Sequence, residues 1–485
     1  MNGETTSFWK NDRPLRTYPA LQQSMDCDVC IIGAGIAGLT TAYFLAKQNK
    51  KVVVLDDGPI AGGQTVRTTA HLSNALDDRF EVLEDYFGQE GSKLAAESHR
   101  AAIDFVKALV EEYQIACDFE LVNAYLFVPP GDDPKILEKE LLAAKRAGLD
   151  VALLPRAPLK SFDTGPALQF SHQAQFHPLK FLDKLCDILD GLGVNIYCDS
   201  HVTDFEEEEV RVGEYHVRAK HIVVATNSPV NSRFFPHLKQ APYRTYVIGG
   251  KIPQNSVPAG LYYDTLDPYH YIRVAGDYLL VGGEDHRTAE EQDIEERYKR
   301  LETWTRERFP FFQDIAYKWS GQVMEPVDSL AFIGRAHKET YIITGDSGNG
   351  LTHGILGAMI VSDQICKKHS PWEKLYDPHR ITLKAAPEFL SENVNTALQY
   401  KDWFMPGQEE QNPQPGSGII VQRGVKKCAL YKDTEGKVHE MSAVCPHLGA
   451  LVRWNESEHC WECPAHGSRF DAFGKVIQGP ANCDL

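Results

Sequence analysis

An apolar run at residues 29–32 opens the patterned part of the chain and enters a glycine-rich turn, Gly33-Ala34-Gly35-Ile36-Ala37-Gly38. A short apolar run bounded by turn residues predicts a buried parallel strand. Beyond the turn, Leu39, Ala42, Tyr43 and Ala46 recur at helical spacing, and a second apolar run, Val52–Leu55, ends in Asp56. Strand, turn, helix, strand and acid in that order predict a βαβ dinucleotide-binding unit. Gly33 permits the turn, Gly35 lets a pyrophosphate approach the backbone, Gly38 lets helix close on strand, and Asp56 can accept from a ribose hydroxyl. The helix N-terminus offers unpaired N–H groups and a positive dipole end to the phosphates.

Residues 80–114 show amphipathic helical spacing, and from 119 to 220 short strand patterns alternate with a helix, Pro178–Gly191. Residues 221–226 return to the character of a buried parallel strand. Between 243 and 335 the chain turns strand-rich (YRTYVIGGKI, YHYIRV, YLLVGGED), which predicts an antiparallel sheet in a second domain. Residues 341–344 read as one more buried strand, followed by GDSGNG and a helix over about 351–367. The expected fold class is α/β. A Rossmann-like domain within 1–395, discontinuous over about 26–240 and 336–395, holds an inserted substrate sheet at about 241–335. Residues 405–418, MPGQEEQNPQPGSG, predict a linker, placed within 396–417, and 418–485 reads as a small all-β module.

Composition narrows the class. With 43% hydrophobic and 24% charged residues over 485 positions, the chain should be globular, with two or three domains. A net charge of −17 argues against nucleic acid or an anionic membrane as partner, and the acidic run 206–209 reads as a solvated loop. No stretch reaches the roughly 20 apolar residues of a membrane span, and the first twenty residues carry no signal or transit pattern. A cytoplasmic location is expected. Eleven cysteines in so long a chain do not suggest a secreted disulfide framework. Cys27 and Cys30 have CxxC spacing but lie at the start of a strand, where redox motifs of that kind do not sit.

GAGIAGL at 33–39, Asp56, GGQTVRTTAHLS at 62–73, FHPLKF at 176–181, VVATN at 223–227 and GDSGNGLTHG at 345–354 together resemble the FAD-dependent amine and amino-acid oxidoreductases of the D-amino-acid-oxidase (DAO) type. By spacing alone, 58–71 fits a surface loop as well as a cofactor-covering segment. The resemblance implies that it wraps FAD, together with the last segment. Arg67, Thr68, Thr69, Gly345, Asp346, Gly350 and Thr352 then join Gly33, Gly35, Gly38 and Asp56 as expected cofactor contacts. Asp346 would hold a ribityl hydroxyl, and the helix near Leu351 would aim its positive end at the flavin ring. With one dinucleotide site, filled by FAD, electrons must come from an organic substrate, by implication a small amine or amino acid. Tyr271 and Arg273, on one strand, are candidate catalytic residues, with Arg273 gripping a substrate carboxylate. The alternative is an arginine bridging Glu284 or Asp285, and Arg244 is a rival. Trp319, Gln322 and Glu325 complete the candidate pocket. His353 or His270 is a candidate base, and His71 lies where some relatives attach flavin covalently.

Residues 445–466, CPHLGALVRWNESEHCWECPAH, contain Cys445-x-His447 and Cys463-x-x-His466. Two cysteines and two histidines are also a zinc set. One Cys and one His per loop, followed by Gly467-Ser468-Arg469-Phe470, resembles a Rieske [2Fe-2S] domain, which implies that the cysteines hold one iron and the histidines the other. Gly479-Pro480-Ala481 resembles its third loop. Respiratory Rieske proteins carry a disulfide where this chain has Ala450 and Ala465, and high-potential members carry a tyrosine where it has Phe470, while Ser468 is kept. Fewer hydrogen bonds to sulfur imply a low-to-intermediate potential. The module is expected to be short at its C-terminal end, since closing strands normally follow the third loop.

The order of modules, with SFWKN and YPAL near the N-terminus, resembles fused FAD/Rieske oxidoreductases. It implies an amine or amino-acid dehydrogenase that passes electrons from FAD through the cluster to an external acceptor. Two alternatives stand beside it. One is an oxidase that reduces O2, with a non-essential Rieske domain; the other is a non-catalytic redox sensor or electron carrier.

Overall fold

The computed structural model describes residues 5–11, 14–228, 230, 239–290, 294–403 and 412–485. The strand Met25–Ile32 pairs in parallel with Val52–Leu55 and with Tyr215–Asn227, which pairs in parallel with Thr340–Thr344. These apolar runs are the centre of an eight-stranded sheet, and the antiparallel strand Phe332–His337 forms one edge. Two helices, Ile36–Ala46 and Gly350–Ile365, pack on each other. Gly354 makes that approach possible, since a Cβ there would lie 3.1 Å from Ile36 Cγ2 and 3.3 Å from Ala37 Cβ. The expected long helix is Phe80–Tyr113, kinked at Gly88, whose φ is 71°.

The second sheet has nine strands, and its make-up corrects the expected boundaries. Its antiparallel body is Ile315–Pro326, Gln240–Lys251, Tyr278–Arg287, His270–Ala275 and Leu261–Asp264, as expected for 241–335. It continues, however, into Glu120–Phe127, Ala167–Gln175 and His71–Leu72, which the sequence reading left in the nucleotide-binding part. The join is parallel, between Leu261–Asp264 and Glu120–Phe127. A strand's own alternation records which face is buried but not which strand it will pair with, so this assignment was not visible locally.

Residues 396–403, expected in the linker, are helical: a helix runs over Ala386–Leu398 and a 3-10 turn over Gln399–Trp403. A proline in the first turn starts the helix, and Leu390, Val394 and Leu398 then repeat at helical spacing. Residues 404–411 of the expected linker lie outside the described residues. The C-terminal module consists of a three-stranded sheet, Gly418–Arg423, Lys426–Lys432 and Val438–Ser442, and a four-stranded one that begins at Arg453–Asn455 and ends at Val476–Gln478. Among the described residues no helix is long and apolar enough to cross a membrane.

Candidate functional site: a cavity and a cluster that share a wall

A cavity of about 1390 Å³ extends from the glycine turn to the face of the nine-stranded sheet. It exceeds the roughly 300–1,000 Å³ of ordinary small-molecule sites, as a dinucleotide with a substrate beside it requires. Gly33 (φ +108°) and Gly35 line it, and neither position has room for a side chain: a Cβ would lie 2.5 Å from Ala225 O and 2.9 Å from Thr65 Oγ1. Ile36 N donates to Thr65 Oγ1 at 3.1 Å, so the 62–69 segment lies across the turn. Arg67, Thr68 and Thr69 all face the cavity. Asp56 also faces it, accepting from Ala34 N and Gly58 N at 2.5 and 2.9 Å, with burial and Asp57 pushing its carboxyl up to about 7. Asp346 accepts from Met324 N (2.7 Å) and Asn227 Nδ2 (3.2 Å) and stands beside Gly350 in the wall. These residues fit FAD: a glycine cradle, two acids for its hydroxyls and a helix N-terminus.

Gly38 has the helix-on-strand role expected of it, and two further expected cofactor contacts, Gly345 and Thr352, are packing residues instead. A Cβ at Gly38 would lie 1.9 Å from Gly33 O, inside the strand–helix contact. Gly345, at φ +77°, turns the chain against Pro326, and Thr352 is engaged with His99 Nδ1 at 2.7 Å.

At the sheet end, Tyr263, Tyr269 and Tyr271 line the cavity, and the Tyr271 hydroxyl meets Thr245 Oγ1 at 2.8 Å. Arg273 is on the same strand but outside the cavity lining. Its Nη1 donates to the carbonyls of Thr69 and Ala70 at 2.9 and 2.8 Å, and its guanidinium lies 5.2 Å from the Trp9 ring. It pins the 62–73 segment, and its Nη1, expected to grip a substrate carboxylate, is taken by those backbone carbonyls. Its expected alternative is also wrong, since Glu284 is bridged by Arg300 at 2.8 Å. Arg244 is buried against Glu462 (3.1 Å) and Ser320 Oγ (3.0 Å). Trp319 is buried, donating to Arg67 O at 2.8 Å, while Gln322 lines the cavity.

The two candidate bases are corrected as well. His353 lines the cavity, but its Nδ1 donates to Asp346 O at 2.9 Å and its Nε2 faces His99 Nε2 at 3.2 Å. Burial pushes it down to about 4, so it is neutral with both nitrogens engaged. His270 lies away from the cavity, bonded to Asp264 at 2.9 Å and stacked on Trp304. His71 does face the cavity, with Nδ1 3.2 Å from Tyr263 OH, and burial and Arg273 hold it well below the usual histidine range.

Sequence reasoning missed Asp77, which lines the cavity 3.3 Å from Tyr269 OH. Burial and the nearby charges of Asp78, Asp285 and Asp346 push it up to about 7. Nothing in its spacing marks it; Asp78 is its neighbour in the chain, and only the fold brings Asp285 and Asp346 to the pair.

In the C-terminal module, the Cys445 and Cys463 side chains are close neighbours, and the His447 and His466 ring centroids are 4.9 Å apart. Backbone N–H groups of His447 and Leu448 point at the Cys445 sulfur, and those of Ala465 and His466 at Cys463. Among the described residues no three His, Cys, Asp or Glu side chains converge on one ion. A cysteine pair beside a histidine pair suits a two-iron cluster better than one tetrahedral ion. None of the eleven cysteines is in a disulfide, and Phe470 is fully buried. Cys460 takes a bond from Arg469 at 3.1 Å and is no ligand. His466 is only 5% exposed, because the second ligand loop is seated on the substrate sheet. His447 is half-buried beside exposed Leu448.

Comparison with known proteins agrees with both halves. Residues 28–364 match the FAD dependent oxidoreductase (DAO) family, and residues 402–485 match the Rieske [2Fe-2S] domain. The chain is 30% identical to YhfW of Bacillus subtilis (strain 168), described as a Rieske 2Fe-2S iron-sulfur protein, over 98% of this chain and 96% of that one. It is 27% identical to gamma-glutamylputrescine oxidoreductase of Escherichia coli (strain K12), over 75% of this chain and 89% of the relative. In fold it is similar to glycine oxidase from Geobacillus kaustophilus, with a TM-score of 0.63 at 16% identity, over 73% of this chain and 99% of that structure.

Proposed function

The chain belongs to the FAD-dependent oxidoreductase family and carries a Rieske [2Fe-2S] domain, and from that premise we propose that it oxidises a C–N bond of a small cationic amine and delivers the electrons to an external acceptor. Bound FAD would supply two-electron chemistry at the substrate carbon, and the cluster one-electron transfer to the acceptor.

The observation that carries this reading is the seat of the second ligand loop. A Cβ at Gly467 would lie 2.0 Å from Gln322 Nε2 and 2.7 Å from Pro242 Cβ, and Gln322 itself lines the flavin cavity. The cluster loop and the cavity therefore share a wall. His466, next to Gly467 in the chain, is buried and His447 is the more open ligand, which suits entry on one side and exit on the other.

An amine is favoured over an amino acid by the acids at the sheet end. Asp77, backed by Asp78, Asp285 and Asp346, offers negative charge to an ammonium group, and Tyr263, Tyr269 and Tyr271 offer ring faces. Arg273 and Arg244, the candidates for a carboxylate, are committed elsewhere. The held ammonium must give up a proton before its C–N bond is oxidised, and Asp77 is the cavity carboxylate that would take it; the tyrosine wall excludes water from the carbon that reacts, and the imine product hydrolyses after release. The nine cysteines outside the cluster set, none of them in a disulfide, suit a reducing cytoplasm.

The test is anaerobic addition of amines and amino acids to holoprotein, with flavin absorbance and low-temperature EPR followed together. Flavin bleaching by an amine, with a reduced Rieske signal, is expected. Bleaching with an intact cluster left oxidised would overturn the relay, and bleaching by amino acids alone would overturn the substrate class.

A further inference from the structure

We infer that the flavin site is built by both domains, with the last Rieske strand and the third loop forming its outer wall, so that the cluster governs how long FAD stays bound. On the Rieske side the cavity is lined by Glu458, Cys460, Val476, Gln478, Gly479 and Ala481. These are not incidental neighbours, because three glutamines from three segments close a ring there. Gln64 Nε2 donates to Gln478 Oε1 at 2.8 Å, Gln478 Nε2 donates to Gln322 Oε1, and Gln322 N donates to Gln64 Oε1 at 2.7 Å. The flavin-wrapping segment, the substrate sheet and the Rieske strand are thus tied at one point of the wall.

The third loop links this wall to the cluster. Ala481 N donates to Ser468 Oγ at 3.0 Å, and the Ser468 hydroxyl bonds the Cys445 sulfur. The same loop reaches the nucleotide end of the cavity. A Cβ at Gly479 would lie 3.0 Å from Val230 Cγ1, His201 Nε2 donates to Asn482 O at 2.8 Å, and Asn482 Nδ2 donates to Thr203 O at 2.8 Å. Ser200, His201 and Val202 line the cavity beside Asp56 and Asp57. A dinucleotide held at Gly33–Gly38 would therefore lie beneath a lid that one cluster ligand helps to order. Metal loss frees the two ligand loops from their common anchor, and the third loop loses its support with them. Release of FAD then needs less structure to open.

This inference rests on FAD binding but not on turnover, so failure of the electron relay would leave it standing. The experiment uses FAD-loaded holoprotein without substrate and follows FAD release by fluorescence after dilution. Untreated protein is compared with protein whose cluster has been removed by anaerobic chelation, and with Gln478→Ala and Asn482→Ala. Release about ten-fold faster is expected after cluster removal and in Gln478→Ala, with circular dichroism unchanged and, in the variant, the Rieske EPR signal retained. Asn482→Ala, which severs a tie at the nucleotide end, should release FAD faster than untreated protein by a smaller factor. Should Gln478→Ala fail to fold, cluster removal and Asn482→Ala decide the matter. Release rates indistinguishable from untreated protein under both would overturn the inference.

Discussion

Gln64 and Gln478 stand 414 positions apart and share a 2.8 Å hydrogen bond in the wall of the cavity. One belongs to the segment that wraps the cofactor and the other to the last strand of the Rieske module. Beside them Arg67 and Glu458 join the same two regions by charge, at 3.6 Å. The two domains are therefore held by buried polar contacts at the place where the redox chemistry belongs.

Glu458 is buried among three guanidinium groups. Burial alone would raise its carboxyl, but Arg67, Arg469 and Arg244 hold it at about 2. Glu458→Ala leaves those cations with one fewer carboxylate and should cost about 3–5 kcal/mol in denaturant unfolding. A depressed carboxyl stabilises fully above its unfolded value and loses that contribution as pH falls towards 2. The wild-type protein should therefore destabilise over that acid range, and the Glu458→Ala protein less steeply.

Gly467 sits at φ +78° with its missing Cβ directed at Gln322 and Pro242. Gly467→Ala should lift the second ligand loop from the cavity wall and cost about 1–3 kcal/mol. Stopped-flow absorbance should show flavin reduction by substrate unchanged and subsequent cluster reduction slowed. Equal rates for the second phase in both proteins would argue against the shared wall as the route.

Asp77 should govern cation binding. A substrate analogue with a permanent trimethylammonium group, followed by perturbation of the flavin spectrum, should bind more tightly as pH rises through about 7, where Asp77 ionises. Asp77→Asn should weaken it about ten- to a hundred-fold and flatten the pH dependence. Folding follows the opposite sign. A carboxyl raised from 3.8 to about 7 lends stability below its unfolded value and loses it as pH rises through 7, so the ligand-free protein should lose this increment between about pH 4 and 7.

Arg273→Met distinguishes a structural arginine from one that binds substrate. It removes the donor to the Thr69 and Ala70 carbonyls and should cost about 2–4 kcal/mol, with weaker FAD retention. KM for an amine should stay near the wild-type value in protein reloaded with FAD. A large rise in KM with unchanged thermal stability would restore Arg273 to the substrate site.

What could be read from the linear chain was what local chemistry encodes. Four apolar runs with Gly33, Gly35, Gly38 and Asp56 specify a parallel sheet and its phosphate turn, because strand burial, positive φ and close backbone approach each demand particular residues at fixed spacing. Cys445, His447, Cys463 and His466 stood out as a metal set on short loops, and the resemblance to a Rieske domain, rather than the four residues alone, separated two irons from one zinc. Tertiary structure decided the rest. Arg273 lies one strand position pair from Tyr271, yet one side chain meets backbone carbonyls and the other a cavity, and period-two alternation treats them alike. His353 carries the right chemistry for a base until His99, 254 positions away, takes its second nitrogen. Asp77 has no motif at all, and its charge matters because folding buries it and brings Asp285 and Asp346 to the Asp77-Asp78 pair. Spacing along a chain reports which residues can share a turn or a face, whereas desolvation and charge coupling depend on distances that only the folded molecule sets.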